Sequence, residues 1–169
     1  MKHISFIGTG VMGASLVRHL LKSGYRVSVF NRSMEKARVL EKDGAMLCST
    51  IKESSSQADC VFTMVGFPQD VHSCYFGPDG ILDNVKERTL LIDLTTSKPS
   101  LARDIEKAAK ERNLLSLDCP VSGGDIGARN GTLAIMVGGE RESFEKALPL
   151  LKTFGTPHYM GLAGTNVRV

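Results

Sequence analysis

The sequence has little of what several classes of protein require. No apolar run among its 169 residues approaches the length of about 18 residues that a membrane span needs, and the first eight residues lack the apolar stretch of a secretory signal. Its 21 basic residues exceed the 18 acidic residues by only three, a surplus too small to indicate a nucleic-acid surface or a polybasic membrane patch. We therefore expect a cytoplasmic protein with no nucleic acid and no membrane among its partners.

Cysteine and histidine are also sparse. There are four of each, with no Cys-x-x-Cys pair and no spacing typical of a metal site. Isolated cysteines fit a reducing compartment, and we expect no metal. These residues are Cys48, Cys60, Cys74, Cys119, His3, His19, His72 and His158.

What the sequence does have is an alternation of short apolar runs with helical patterns, which predicts a parallel sheet. With 42% hydrophobic residues, 169 positions suffice for one domain with a sizeable core. The runs are mostly continuous rather than alternating, as expected of strands covered on both faces. Six strands are predicted, at 4–7, 27–30, 61–65, 90–93, 115–117 and 133–137.

Helical patterns occupy the segments between these strands. The first helix is expected to end near Gly24, which suits a left-handed cap, and the second to begin after Ser33, a candidate N-cap. The last spans about 142–152, where Pro149 should kink or shorten it because proline donates no backbone hydrogen bond. The serine run 54–56 is expected to be a surface connection.

The first motif with chemical meaning is a Gly-x-Gly-x-x-Gly fingerprint directly after the first strand. In a dinucleotide site, such glycines permit a tight turn, close approach of the pyrophosphate and close packing of the following helix. Free backbone N–H groups and the positive helix end would then face a diphosphate. The alternative is a glycine-rich structural turn, but the order strand, motif, helix and strand favours a nucleotide site in a Rossmann-type, doubly wound, mainly parallel α/β sheet. The motif reads Gly8, Thr9, Gly10, Val11, Met12 and Gly13.

The end of the second strand indicates which nucleotide binds. Where NAD sites usually place a carboxylate for the ribose 2′-hydroxyl, the sequence has Asn31, Arg32 and Ser33, and no acid until Glu35. The forked donors of Arg32 suit a 2′-phosphate, with neutral hydrogen bonds from Asn31 and Ser33. The residues therefore favour NADP, with NAD left open because Arg32 has an alternative interpretation as a solvated residue at a helix start.

Two further segments follow predicted parallel strands, whose carboxyl ends border the ligand crevice in such a fold. Residues 65–68, which begin with Val65 and Gly66, and residues 93–99 are candidate walls for cofactor and substrate. For residues 95–97, N-capping of the helix that begins at Pro99 is an equally good interpretation, since one residue can do both.

A third motif lies between the fifth and sixth predicted strands. Ser122, followed by Gly123 and Gly124, suits an N–H and hydroxyl cradle for a small carboxylate, because glycine lets an anion approach the backbone closely. A flexible hairpin is the alternative.

With these blocks the sequence resembles, over essentially its whole length, the 3-hydroxyisobutyrate dehydrogenase family of β-hydroxyacid dehydrogenases. The resemblance lies in the glycine fingerprint, the Asn31-Arg32 pair, and the segments 93–99 and 118–139. It implies an N-terminal NADP-binding domain.

The resemblance also implies roles for particular residues. Ser122, Gly123 and Gly124 would hold the substrate carboxylate, and Thr96 would lie near the nicotinamide ribose. A lysine that acts on the substrate oxygen would come just after Val169, following a glycine-rich segment in which Asn166 replaces a glycine, so no catalytic residue is expected within the chain. The expected cofactor-binding residues are Gly8, Thr9, Gly10, Val11, Met12, Gly13, Asn31, Arg32, Ser33, Val65, Gly66 and Thr96.

The implied organisation is a dinucleotide-binding domain at 1–160 and, at 161–169, the start of a linker to a helical domain absent from this chain. The expected function is the cofactor domain of an NADP-preferring oxidoreductase that transfers a hydride between nicotinamide and a small β-hydroxy acid, similar to 3-hydroxyisobutyrate, or its semialdehyde. Activity of the isolated chain should be very low without the lysine. The alternatives are a non-catalytic nucleotide-binding or partner-binding module and, less favoured by Asn31 and Arg32, a methyltransferase. Association into a homo-oligomer is left open.

Overall fold

The computed structural model describes residues 1–66 and 68–165. Nine strands occur in this part of the chain, and all belong to one sheet. The strands are β1 (His3–Ile7), β2 (Arg26–Phe30), β3 (Met46–Leu47), β4 (Cys60–Thr63), β5 (Leu90–Asp93), β6 (Leu115–Asp118), β7 (Val121–Ser122), β8 (Leu133–Gly139) and β9 (Gly155–Gly161).

Helices connect most of these strands. The helices are α1 (Val11–Lys22), α2 (Met34–Glu41), α3 (Ile51–Ser55), α4 (Pro68–Phe76), α5 (Ile81–Asn84), α6 (Pro99–Glu111), α7 (Gly124–Asn130) and α8 (Arg141–Leu151). None of the helices in the described ranges has the length and apolarity to cross a membrane.

The strand order is β3-β2-β1-β4-β5-β6-β8-β7, with β9 on the other side of β8. Strands β1 to β6 are all parallel, whereas β8 runs antiparallel to both β6 and β7. The chain moves outward from β1 to β3, then returns to the other side of β1 and moves outward again from β4. This reversal at β1 is where an open α/β sheet forms its ligand crevice. The predicted doubly wound, mainly parallel α/β sheet is confirmed.

Apolar side chains pack on both faces of the sheet. Ile4 and Phe6 of β1 belong to a cluster that includes residues of α1, α7 and α8, while Ile7 belongs to the opposite cluster with residues of α4, α5 and α6. Because neighbouring strand residues point to opposite faces, burial on both faces requires the continuous apolar runs seen in the sequence.

All six predicted strands are present, and each end lies within two residues of its prediction. Three strands were not predicted. Two of these, β3 and β7, have only two residues each, and β9 contains Pro157 in an alternately exposed segment with no apolar run.

The predicted helix boundaries agree with the structure, but the side chain of Ser33 and the position of Pro149 differ from what was expected. Gly24 follows α1 with a φ of 97°, and Ser33 is the N-cap of α2, although its side chain makes no capping hydrogen bond. Helix α8 continues past Pro149 to Leu151, so the proline does not cut it short. Pro149 lies in the last turn of the helix, where its missing N–H removes only one bond.

The prediction that the serine run 54–56 is a surface connection is wrong. Ser54 and Ser55 lie in α3 and are fully buried. The Ser54 hydroxyl lies 2.6 Å from the Ser5 hydroxyl of β1, and its carbonyl oxygen accepts from the Ser28 hydroxyl of β2 at 2.7 Å. Short polar side chains are buried here because the neighbouring strands supply their hydrogen-bond partners.

Candidate functional site

The glycine fingerprint forms the connection from β1 to α1, and its three glycines have three different surroundings. Gly8 has a φ of 97°, and a Cβ there would collide with the Met64 carbonyl oxygen. A Cβ on Gly13 would collide with the Gly8 carbonyl oxygen and lie 3.3 Å from the Phe6 ring. No atom lies within 4 Å of a Cβ built on Gly10. The first glycine therefore makes the turn, the third allows close packing, and the second leaves open space at the start of α1.

Two backbone amides of this loop are already engaged within the protein. The Gly8 N–H donates to the Phe30 carbonyl oxygen at 2.9 Å, and the Thr9 N–H donates to Asn31 Oδ1 at 3.1 Å. The prediction that the amides after Ile7 are free is therefore wrong for Gly8 and Thr9. Helix α1 itself begins at N-cap Gly10 with no side-chain cap, so its first-turn amides carry the positive helix end.

The Asn31 side chain makes two hydrogen bonds within the protein. Its Oδ1 accepts from Thr9, and its Nδ2 donates to the Ser33 carbonyl oxygen at 2.8 Å. Both ends of the side chain thus tie the glycine loop to the β2–α2 connection. Thr9 is also buried, since the residue is only 2% exposed, and its hydroxyl has no hydrogen-bond partner among the described residues.

A cleft of about 440 Å³ opens beside this loop, at the carboxyl ends of β1, β2 and β4. Seven of the expected cofactor residues line it: Gly8, Gly10, Asn31, Arg32, Ser33, Val65 and Gly66. The other lining residues are Ile7, Phe30, Lys36, Met64, Asp70 and Cys74.

Charged side chains stand at the β2 end of the cleft. The Arg32 side chain is 88% exposed and lies 3.4 Å from Asp70, which is at the start of α4. Neither Asp70 nor Lys36 was predicted from the sequence. The sequence could have indicated Lys36, since it is a second cation in the first turn of the helix that follows Arg32. It could not have indicated Asp70, because only the fold brings α4 opposite β2.

Cys74 is the one cysteine among the residues lining this cleft in the described part of the chain. Burial is the main cause that raises the pKa of its thiol to about 11, so the thiol is neutral at pH 7. The other three cysteines are buried. Within 1–66 and 68–165, no three His, Cys, Asp or Glu residues form a group that could hold a metal ion.

Behind the cleft, a buried carboxyl joins the ends of β4 and β5. Asp93 Oδ1 accepts from the Thr63 hydroxyl and from the Thr95 N–H, each at 3.0 Å, and Oδ2 accepts from the Ser97 hydroxyl at 3.4 Å. Burial raises the pKa of Asp93 to about 6, although these hydrogen bonds oppose the rise. The Thr95 hydroxyl also accepts from the Val65 N–H at 3.0 Å.

N-capping of α6 by residues 95–97 does not occur. The N-cap is Lys98, with no side-chain capping bond, and the hydroxyls of Thr95 and Ser97 bond to groups at the ends of β4 and β5. Thr96 is exposed and lies outside the lining of the cleft.

The Ser-Gly-Gly motif leads from β7 into α7. Ser122 is exposed and paired with Ala134 of β8, so this segment is a short strand followed by a helix and not a flexible hairpin. Gly123 and Gly124 have φ values of 138° and 63°, which favour glycine. None of the three lines the 440 Å³ cleft, but α7 packs against α1, the helix that begins at the glycine loop.

Some predicted positions fall elsewhere. Val11 is 67% exposed at the start of α1, whereas Met12 packs against the core. Phe67 and Asn166 lie outside the described residues, as does the position after Val169 where a lysine was expected.

Comparison with known proteins gives one family match and many relatives. The family model described as the NAD binding domain of 6-phosphogluconate dehydrogenase matches residues 3–164. A curated relative, the uncharacterized oxidoreductase YkwC of Bacillus subtilis, is 54% identical over 165 residues, which are 97% of this chain and 57% of the relative. The chain thus spans just over half the length of this relative.

Solved structures show the same fold. A 3-hydroxyisobutyrate dehydrogenase of Mycobacterium tuberculosis, described with L-serine, matches with a TM-score of 0.92 and 33% identity over 98% of this chain and 56% of that one. Psf3, described in complex with NADP+ and 2-OPP, matches with a TM-score of 0.91 and 34% identity over 95% of this chain and 57% of that one.

Proposed function

The chain belongs to the family of the NAD binding domain of 6-phosphogluconate dehydrogenase, and we propose that it binds NADP in the cleft beside Gly10 as part of a hydroxyacid dehydrogenase. The nucleotide-binding domain and the oxidoreductase family are established by the family match and the relatives. The cofactor preference, the substrate and the residue roles are the proposal.

The observation that carries the proposal is the composition of the cleft. It brings together the open side of Gly10, the polar segment after β2, and Val65 and Gly66 after β4. The space at Gly10 and the uncapped start of α1 suit a pyrophosphate, because helix N-termini stabilise anions. The residues present therefore fit a dinucleotide. When bound, this group supplies the hydride acceptor or donor at its nicotinamide ring.

Preference for NADP is proposed from the charges at the end of β2. Arg32 and Lys36 line the cleft where an NAD site usually has a carboxylate for the ribose. Arg32 is mostly exposed, so its guanidinium is free to turn from Asp70 to a 2′-phosphate, which it can bind through two parallel hydrogen bonds.

The proposed substrate is a small β-hydroxy acid similar to 3-hydroxyisobutyrate, or its semialdehyde. Ser122, Gly123 and Gly124 would hold its carboxylate, and Thr96 would contact the nicotinamide ribose. Support comes from the exposed Ser122 hydroxyl next to two glycines with positive φ and from the relative described with L-serine, which carries both a β-hydroxyl and a carboxylate. These residues position substrate only, so we expect very low turnover from the 169 residues alone.

We further propose that residues 1–160 form the dinucleotide-binding domain and that 161–169 begin a linker. Strand β9 ends at Gly161, and the family match ends at residue 164. Both boundaries support this division.

Calorimetric titration of the chain with NADP+ and NAD+ tests the proposal. We expect tighter binding of NADP+, and we expect Arg32→Gln to weaken NADP+ binding by about 10- to 100-fold, because hydrogen bonds between charged groups contribute about 1.5–3 kcal/mol. NAD+ binding should change little. Arg38→Gln is the matched control, since Arg38 is exposed on α2 but does not line the cleft. Equal binding of NADP+ by Arg32→Gln and the unmodified chain would remove the proposed role of Arg32.

A further inference from the structure

Asp93 is a buried carboxyl beside the cleft that the proposed function leaves without a role. It lies at the carboxyl end of β5, in register with Thr63 of β4, and is 3% exposed. Burying a carboxylate is costly unless hydrogen bonds compensate it. Here three donors reach it, at distances of 3.0, 3.0 and 3.4 Å.

An ionised Asp93 imposes a direction on the hydrogen bonds around it. A carboxylate only accepts, so the Thr63 hydroxyl donates to Asp93 and offers its lone pairs to Tyr75, whose hydroxyl lies 3.2 Å away. The Thr95 backbone N–H donates to the same carboxylate, and the Thr95 hydroxyl accepts from the Val65 N–H at 3.0 Å. Two chains of donors, Tyr75 to Thr63 and Val65 to Thr95, thus converge on one carboxylate.

The outer ends of both chains belong to the walls of the cleft. Val65 lines the cleft itself. Tyr75 is fully buried in α4, the helix whose residues Asp70 and Cys74 line the same cleft. Asp93 is therefore linked through Thr63 to helix α4 and through Thr95 to the loop after β4.

We propose that Asp93 is a positioning residue of the nucleotide site, whose ionised carboxylate orients the Thr63 hydroxyl and holds the Thr95 backbone, so that these two residues keep helix α4 and the loop after β4 in the binding geometry. The inference rests on the proposed function, because it assigns Asp93 to the same cleft. It adds that nucleotide binding depends on the charge of a group that does not line the cleft.

Protonation of Asp93 weakens both chains, because a neutral carboxyl accepts hydrogen bonds less strongly than a carboxylate does. A neutral carboxyl also becomes a donor at one oxygen, so either the Thr63 hydroxyl at Oδ1 or the Ser97 hydroxyl at Oδ2 must turn round or lose its partner. The titratable groups around Asp93 are Cys74 and Tyr75 of α4, Cys119 after β6, and Asp118, its register neighbour on β6. Burial raises the pKa of the two thiols and the phenol, so these three stay neutral between pH 5 and 8. Helix α6 presents apolar side chains to the small cavity beside Asp93.

The test is calorimetric titration with NAD+ between pH 5 and 8. NAD+ is the probe because the 2′-phosphate of NADP+ itself ionises near pH 6. For the unmodified chain we expect affinity to fall about tenfold as pH drops through a midpoint near 6, which is where Asp93 takes up its proton. Asp93→Asn should bind NAD+ about tenfold more weakly at pH 8, with no such midpoint.

Three further variants separate positioning from general loss of structure. Ser54→Ala removes a buried hydroxyl from the separate network with Ser5 and Ser28, and it should keep the affinity and pH profile of the unmodified chain. Thr95→Val should weaken NAD+ binding as Asp93→Asn does, and Thr95→Ser, which keeps the hydroxyl, should restore it.

Unchanged affinity and an unchanged pH profile in Asp93→Asn would overturn the proposal. So would loss of the midpoint in Asp118→Asn but not in Asp93→Asn. Failure of the unmodified chain to bind either NAD+ or NADP+ at pH 8 would instead contradict the proposed function, and the positioning role would fall with it.

Discussion

Two glycines of the fingerprint are required for opposite reasons. Gly13 is held against the backbone of Gly8, whereas Gly10 faces open space. The sequence motif alone predicted three roles for its glycines. The structure assigns each role to one residue, because the atoms that a Cβ would contact differ at the three positions.

Gly13→Ala should destabilise the fold. In an ordinary helix this substitution gains about 0.5–1 kcal/mol, but the new methyl group would collide with the Gly8 carbonyl oxygen. Overpacking typically costs about 1–3 kcal/mol, so the collision outweighs the helix propensity. Denaturant unfolding should show the loss in the free energy of unfolding.

Gly10→Ala is the matched substitution three residues away. Because Gly10 has a φ of -70° and nothing within reach of its Cβ, the free energy of unfolding should change by less than about 1 kcal/mol. Nucleotide affinity should fall, since the methyl group occupies the space proposed for the pyrophosphate. A stability loss in Gly10→Ala equal to that in Gly13→Ala would contradict the assignment of the two roles.

Asp93 predicts a pH dependence of stability. Burial raises the pKa of Asp93 from 3.8 to about 6, so the folded state keeps a proton that the unfolded state loses. Asp93 therefore lowers the free energy of unfolding as pH rises from about 4 to 6, by up to about 3 kcal/mol, and the full cost remains above pH 6. As pH rises from about 4 to 6, the free energy of unfolding of Asp93→Asn should therefore increase relative to that of the unmodified chain.

Unfolding in urea at pH 4 and pH 8 measures that difference. A difference that stays constant with pH would mean that Asp93 titrates alike in the folded and unfolded states. The same charge that we propose for nucleotide positioning is thus expected to reduce stability, as is common at functional sites.

The contacts that could not be predicted from the sequence are those between residues of different secondary-structure elements. Arg32 was predicted at the cleft because it follows a strand end, and it lines the cleft. The bond from the Thr9 amide to Asn31 and the approach of Asp70 to Arg32 depend on how β1, β2 and α4 meet, which no local pattern records.

At the scale of elements, one side chain ties the starts of β1 and β4 together. Asp59 Oδ2 accepts from the N–H groups of Lys2 and His3 at 2.9 and 3.1 Å, and Oδ1 accepts from Lys86 Nζ at 2.8 Å. The hydrogen bond from Lys86 is the main cause that holds the pKa of Asp59 well below its usual range, and burial partly opposes it.

Asp59→Asn should lower the free energy of unfolding at pH 7 by about 1–2 kcal/mol. Since the folded pKa is depressed, this contribution is present above about pH 4 and is lost as the pH falls further. The gap between the variant and the unmodified chain should therefore narrow below pH 4 in denaturant unfolding. Lys86→Met serves as the control because it keeps both backbone bonds to Asp59 and should cost less.

Strands were predicted correctly where burial on both faces produces a run of apolar residues. They were missed where only pairing with a neighbouring strand makes the segment a strand. Buried on both faces, β1, β4 and β5 have continuous apolar sequences and were predicted closely. Strand β9 was missed because only its pairing with β8 makes it a strand. The buried serines of α3 were misplaced because their partners lie on other strands.

At the scale of the whole molecule, strand order creates the site. Because the strand order reverses at β1, with β2 on one side and β4 on the other, the loops after β1, β2 and β4 border one cleft. The sequence predicted this gathering from the succession of strands and helices. It also placed Ser122, Gly123 and Gly124 at a second part of the same site, which stays a prediction, since these residues lie outside the lining of the cleft.

The most direct measurement is a crystal structure of the chain with NADP+. We expect the pyrophosphate to lie against the first-turn amides of α1 beside Gly10, and the 2′-phosphate to lie against Arg32. A nucleotide bound elsewhere, or helix-start amides contacted only by protein atoms, would contradict it.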